Sequence, residues 1–203
     1  MLDKDWSLDS EEMNLLEDLD VLPRKQRVCH KLEQALAELG RALQPHPLPE
    51  GILPGPALAP KLSRGENYHR YAYRVLDQPR YHRGEDLFLF RTLILWGHPI
   101  GFHLIMTGAL KTQWESALIE FLPQLSTGYF LSRQASPWIW EAHHPEQISL
   151  DQASEQVLKD VIAERAFIKV SYYLVLAQLD QLIPTGQRIW GKWQAFFRHL
   201  AKN

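Results

Sequence analysis

The sequence predicts an α+β fold: a mainly antiparallel sheet of about five strands, packed by helices and preceded by an N-terminal helical pair. Three observations lead there. "NYHRYAYRVLD" alternates His69, Tyr71, Tyr73 and Val75 with Arg70, Ala72, Arg74 and Leu76, the period-two pattern of a strand rich in aromatics. "DLFLFRTLILWGHPIGFHLIMTG" is two apolar runs broken at "WGHP", which reads as a β-hairpin. Helical stripes flank this region on both sides, and consecutive strands followed by helices make one antiparallel sheet with helices upon it.

Taken in order, Asp9 or Ser10 caps a first helix over 9–22, with Glu11 and Glu12 in its first turn. Pro23 ends it and opens a second, in which Val28, Leu32, Leu36, Leu39 and Leu43 recur at helical spacing. The first helix is acidic and the second begins "RKQR", so the two are expected to pair as a helical hairpin over 1–44. Six of the 13 prolines fall between Pro45 and Pro60. They make 45–62 an extended connection across the surface, and the best boundary before an α+β domain over 63–203. Strand 69–77 leads through the turn-rich "QPRYHRGE" into strands 86–96 and 99–107. This stretch is no bilayer span, because Arg91, His98 and His103 would sit in hydrocarbon. Nor is it one helix, because Pro99 removes a ladder bond.

A helix over 109–125 carries Leu110, Trp114, Leu118 and Phe121 on one face. "TGYFLSR" and "SPWIWEA" supply two further strands, and Ser149 caps a helix from about 150. Residues 167–175 are β-branched and aromatic enough for a strand. Ile168, Tyr172, Val175, Leu179 and Leu182 nevertheless hold helical spacing, and a buried helix is favoured. Beyond Pro184 and Thr185, "RIWGKWQAFFRHLAK" closes the chain as an amphipathic helix. Its Ile189, Trp193, Phe196, Phe197 and Leu200 would cover the core; its basic side would also suit a membrane surface or an acidic partner.

With 45% hydrophobic and 23% charged residues and a net charge of −2, the composition gives no reason to expect nucleic acid as a partner. The single Cys29 excludes an internal disulfide framework and suits a reducing compartment. The acidic N-terminus is unlike a signal peptide, so a cytoplasmic location is expected. His98, His103, His143 and His144 match no metal-ligand spacing, and no metal or cofactor is expected.

Two site constellations stand out. If strand 69–77 pairs with 86–96, then Arg70, Arg74 and Arg91 share a leucine-rich face with Phe102, Leu104 and Met106, while His103 lies on the other beside Thr92. This depends on register, because a one-residue slip exchanges the faces. Guanidinium forks on such a face could receive a carboxylate or phosphate, with Asp77 and Arg80 shaping the mouth. Alternatively, Arg91 meets an acid of a covering helix, such as Glu115 or Glu120, and Arg70 and Arg74 reach solvent. Nucleophile and nucleotide motifs are absent from the sequence. The acid–base groups near the hairpin are Asp77, Glu85, Asp86 and His103.

From Asn67 to about residue 185 the chain resembles an uncharacterised bacterial family found mainly in Bacteroidetes. The positions that carry the resemblance are Leu76, Asp77, Pro79, Arg80, Arg91, Thr92, Trp96, Gly97, Thr107, Gly108, Trp140 and His143. Gln78 and Leu95 stand where the family pattern has an aromatic and a second tryptophan. The resemblance implies the α+β body and draws attention to Asp77, Arg80 and Arg91, but implies no activity. The functional expectation is a binding or interaction protein for an anionic small molecule or an acidic peptide, through Arg91, Arg80, Asp77, Arg74 and Arg70. The alternatives are a hydrolase or transferase using His103 with Asp77 or Glu85, and a structural protein forming a homodimer through its tryptophan-bearing strands or C-terminal helix.

Overall fold

The computed structural model describes residues 6–125 and 127–202; residues 1–5, at the head of the expected helical hairpin, lie outside them. The fold is α+β, with one antiparallel sheet of seven strands. Helix α1 (Ser10–Glu17) starts at an Asp9 cap that forms a full capping box with Glu12. Helix α2 (Val21–Leu43) follows after a short turn. Strands β1 (Lys61–Tyr68), β2 (Tyr71–Arg83), β3 (Asp86–Leu95) and β4 (Ile100–Thr107) form a meander, and α3 (Gly108–Phe121) leaves it. Then come β5 (Tyr129–Ser132), β6 (Gln147–Ser149), α4 (Glu155–Glu164), β7 (Phe167–Leu174) and α5 (Leu182–Leu200). The strand order is β1-β2-β3-β4-β7-β5-β6, so β7 inserts between the meander and the β5–β6 pair.

Several expectations are corrected. The hairpin turns where expected, with Gly97 at φ +76°, a conformation that glycine adopts without strain. "QPRYHRGE" is not a loop: β2 runs on to Arg83 and turns tightly at Gly84, with an irregularity between Asp77 and Arg80 where the register to β3 shifts. Such a bulge re-aims the strand without ending it. "SPWIWEA" is no strand but part of the irregular connection between β5 and β6. Ser149 ends β6, and the cap of α4 is Ser154, which accepts from the Val157 N–H.

Residues 167–174 form strand β7, not a helix. The helical spacing seen there came from joining Ile168 and Tyr172, which share one sheet face, to residues beyond the strand's end. The true period is two: Phe167, Lys169, Ser171 and Tyr173 alternate with Ile168, Val170, Tyr172 and Leu174. Pro184 lies in the first turn of α5, where its missing N–H costs nothing.

One face of the sheet carries the helices. Phe88, Phe90, Phe102, Leu104, Met106, Ile168 and Val170 are buried there against Leu36 and Leu39 of α2, Leu110 and Leu118 of α3, and Trp190, Trp193 and Phe197 of α5. The apolar side of α5 is therefore spent on the core. The proline-rich connection does not separate two cores, because Leu36, Leu39 and Leu43 of α2 and Ile52 of the connection all lie in this cluster. The connection is tied to α5 as well: Trp190 Nε1 donates to the His46 carbonyl at 2.7 Å and Gln194 Nε2 to that of Pro47 at 2.9 Å. By contrast, α1 buries no residue.

The second face is covered by a strap, the connection 133–146. Trp140 of the strap packs with Val75, Leu89, Leu93, Leu95 and Ile105. The strap reaches the far edge of the sheet, where the Tyr68 hydroxyl of β1 donates to Glu141 Oε2 and accepts the Trp140 N–H, both at 3.0 Å. No described helix is long and apolar enough to cross a membrane.

Candidate functional site

Directly paired residues of an antiparallel sheet point to the same face. The registers align Asp77 with Arg91, Arg91 with His103, His103 with Ser171, and Ser171 with Phe130. A single row of side chains thus crosses β2, β3, β4, β7 and β5 on the strap face. The expected placement of His103 beside Thr92 is corrected by one residue. Thr92 pairs with Phe102 and faces the helices, whereas His103 is opposite Arg91.

Arg91 makes a two-pronged contact with Asp77, Nε to Oδ1 at 2.7 Å and Nη2 to Oδ2 at 2.8 Å. Its partner is a neighbouring strand's carboxylate and not Glu115 or Glu120 of α3; Glu115 is held by Lys111 at 3.0 Å. The strap supplies the rest of the setting. The guanidinium carbon lies 5.2 Å from the Trp138 ring centre and 5.0 Å from that of Trp140, within the range of cation–π attraction.

Beside this pair lies a sealed polar cluster. His103 is wholly buried, its Nδ1 2.8 Å from Ser171 Oγ and its Nε2 without a hydrogen-bond partner among the described residues. Its ring lies over Gly101, where any Cβ would come within 2.2 Å of Nε2. Burial, reinforced by the nearby charges of Lys169 and Arg91, pushes the imidazole pKa well below its ordinary value, so it is neutral.

Lys169 is also wholly buried. Its ammonium donates to the Ile139 carbonyl and lies 3.5 Å from Gln134 Oε1 and 4.5 Å from the Trp140 ring centre. Burial lowers its pKa to about 7, against a smaller opposing pull from Glu141. Ser132 Oγ donates to Gln134 Oε1 at 2.9 Å, and Gln147 Nε2 donates to the Tyr173 hydroxyl at 2.5 Å. These groups hold the strap to the sheet.

The five residues expected to form an anion site do not converge. Arg74 faces the helices, opposite to Arg91, and meets Glu33 at 2.7 Å and Glu66 at 3.0 Å. Arg80 lies past the bulge and donates to the Ala59 carbonyl at 2.6 Å. Arg70 is exposed in the β1–β2 turn at φ +73°. Glu85 is exposed in the β2–β3 turn, about 20 Å along β3 from the row that holds His103. Asp86 serves another end, accepting the Ala109 N–H at 2.6 Å at the start of α3. Only Asp77, Arg91 and His103 come together.

Lys169, Ser171, Gln134 and Trp138 were not foreseen, and Trp140 was marked only by the resemblance. The signal for the first two was the polar residue at every second position of "FIKVSYY". Nothing local marks Gln134, whose role depends on the path of the strap.

Next to Arg91 the strap face holds a cavity of about 160 Å³, lined by Asn67, Tyr68, Tyr73, Val75, Arg91, Leu93, Leu95 and Trp140. Its walls are aromatic and aliphatic, with polar atoms from Arg91, Tyr68 and Asn67. Among the described residues, no group of three or more His, Cys, Asp and Glu side chains could hold a metal ion. Comparisons with protein-family models, curated proteins and solved structures find no match. Of the residues singled out by the sequence motifs, Asp77, Arg91 and Trp140 meet at this site.

Proposed function

We propose that the protein binds a small molecule in the cavity beside Arg91, one that joins a carboxylate or similar acceptor group to a flat apolar body. The observation that carries this reading is the fixed guanidinium in an aromatic-walled cavity. Asp77 holds Nε and Nη2, and Nη1 is the nitrogen a ligand would meet. The pair with Asp77 offsets the charge of Arg91, which favours a singly charged group over a phosphate. Trp140, Tyr73, Leu93 and Leu95 would contact the apolar part. At about 160 Å³ the cavity is smaller than the roughly 300–1,000 Å³ of pockets for larger ligands, which favours a small molecule over an acidic peptide.

Hydrolase or transferase chemistry on His103 has less support, since Asp77 is engaged by Arg91, Glu85 is distant, and Ser171 and His103 are sealed from solvent. The test is a melting-temperature and calorimetry screen of benzoate, phenylacetate, acetate, sulfate and an acidic tetrapeptide. Asn67→Trp, at the exposed rim, serves as the blocked control. An aromatic carboxylate should stabilise the parent and leave the blocked variant unchanged. If no compound shifts the parent, or both proteins shift alike, the reading is wrong.

A further inference from the structure

Among the described residues, the N-terminal arm is a helix that buries no side chain. α1 has a complete capping box, with the Glu12 N–H donating to Asp9 Oδ1 at 2.8 Å and the Asp9 N–H to Glu12 Oε2 at 3.0 Å. An isolated helix of 8 residues is nevertheless far below the roughly 12–15 needed for marginal stability in water. Its apolar side chains are bare: Leu16 is 69% exposed, Leu19 just beyond it 89%, and Trp6 ahead of it 86%. Single exposed leucines are ordinary, but Trp6, Leu8, Met13, Leu15, Leu16 and Leu19 are all exposed within one arm, a density that points to an interaction surface.

The same molecule carries an open groove of matching character. It is about 420 Å³ in volume, formed by Val21, Leu22, Arg24, Lys25 and Val28 of α2 with Arg70, Tyr71, Ala72 and Trp96 at the strand ends. Its floor is apolar, and its rim carries Arg24, paired with Asp20 at 3.2 Å, Lys25, paired with Glu66 at 2.8 Å, and Arg70. The arm is the reverse, an apolar stripe among Asp9, Glu11, Glu12, Glu17 and Asp18, with no Lys or Arg between Trp6 and Pro23. The turn into α2 is fixed by the Asp20 N–H on Asp18 Oδ1 at 2.8 Å. In this conformation no α1 residue lines its own chain's groove.

We propose that the groove is filled by the arm of a second copy, each of two chains laying residues 6–19 into the other. The exchange is isologous and closes at two chains. Met13, Leu15, Leu16 and Leu19 would cover Tyr71, Trp96 and Val28, and the carboxylates would meet Arg70 and share Arg24 and Lys25 with Asp20 and Glu66. This surface shares no lining residue with the strap-face cavity.

The test is sedimentation of the full chain, with variants that leave the core untouched. The parent should be dimeric. Leu16→Ser/Leu19→Ser in the arm, or Arg70→Glu/Tyr71→Ser in the groove, should each raise the dimer dissociation constant at least tenfold with an unchanged circular-dichroism spectrum. Mixing the arm variant with the groove variant should restore a heterodimer, because one intact arm then meets one intact groove. For the trans geometry, Leu16→Cys and Tyr71→Cys are placed on separate copies, and the mixture should form a disulfide-linked dimer on oxidation. A parent that is monomeric at all concentrations overturns the proposal, as does a dimer indifferent to both pairs of substitutions. A chain carrying both cysteines that closes on itself as a monomer also overturns it and assigns the groove to the chain's own arm.

Discussion

Asp77 and Arg91 face each other on adjacent antiparallel strands, and both nitrogen–oxygen contacts are shorter than 3 Å. Strand register alone brings them together, one residue before the bulge that shifts it. Arg91→Met leaves Asp77 buried without its cation and should cost roughly 3–5 kcal/mol in urea unfolding, as should Asp77→Leu. The double variant, with neither charge, should lose much less than the sum of the two. A single variant within about 1 kcal/mol of the parent would remove the pair from the list of structural contacts.

Lys169 makes stability depend on alkali. Its pKa falls from 10.5 unfolded to about 7 folded, so over that window the unfolded chain binds a proton that the folded chain does not. Stability should therefore rise with pH from about 7 toward 10, by up to roughly 1.4 kcal/mol per unit, and be insensitive to this group below 7. Lys169→Met should be more stable than the parent at pH 7 and lose that slope. Chemical denaturation at several pH values compares them, and equal slopes would refute the assignment.

His103 acts on the acid side. Its folded pKa lies well below 6.5, so below pH 6.5 only the unfolded chain gains the proton and the folded state loses stability. The loss should begin before the carboxylates titrate. His103→Gln should remove this early loss, measured as the change in unfolding midpoint between pH 7 and 5. An unchanged pH profile would mean that the buried imidazole takes up its proton without unfolding.

Two glycines at positive φ should differ in cost. Gly97 has nothing within 4 Å of an added Cβ, so Gly97→Ala carries only the left-handed backbone cost of roughly 1–2 kcal/mol. At Gly108 the Cβ would lie 2.3 Å from Asp86 Oδ1 and 2.8 Å from the Glu85 carbonyl. Gly108→Ala must displace the contact that starts α3 and should be clearly the more destabilising in parallel thermal melts.

Removing residues 1–44 should abolish cooperative unfolding, because it strips Leu36, Leu39 and Leu43 from the common core. Leu39→Ala alone should cost about 2–5 kcal/mol; a truncated chain with a sharp melt would show that α2 is dispensable.

The fold class and the hairpin were legible because alternation, Gly97 and Pro99 are local signals. Strand β7 was not, since Ile168 and Tyr172 satisfy both a sheet face and a helical stripe. A lysine between Ile168 and Val170 looks out of place until the strap is known. The site was half legible. Arg91 in an apolar strand demanded a partner, and Asp77 was already a candidate, but pairing them requires the register across a bulge. Arg70, Arg74 and Arg80 seemed to share a purpose because they are close in sequence, but Arg70 lies in the β1–β2 turn, Arg74 faces the helices ahead of the bulge and Arg80 follows it.

The insertion of β7 between β4 and β5 has a consequence for biosynthesis. Trp190 reaches back 144 residues to His46, and Gln187 reaches back 145 to Ala42, so the packing of α5 joins distant parts of the chain. A nascent chain that has just completed α3 holds the apolar meander with β4 as an unpaired edge, because neither the strap nor β7 nor α5 has emerged. High contact order slows closure, and an open, hydrophobic edge invites association with other chains. During translation this interval is when the chain most needs shielding by a holding chaperone.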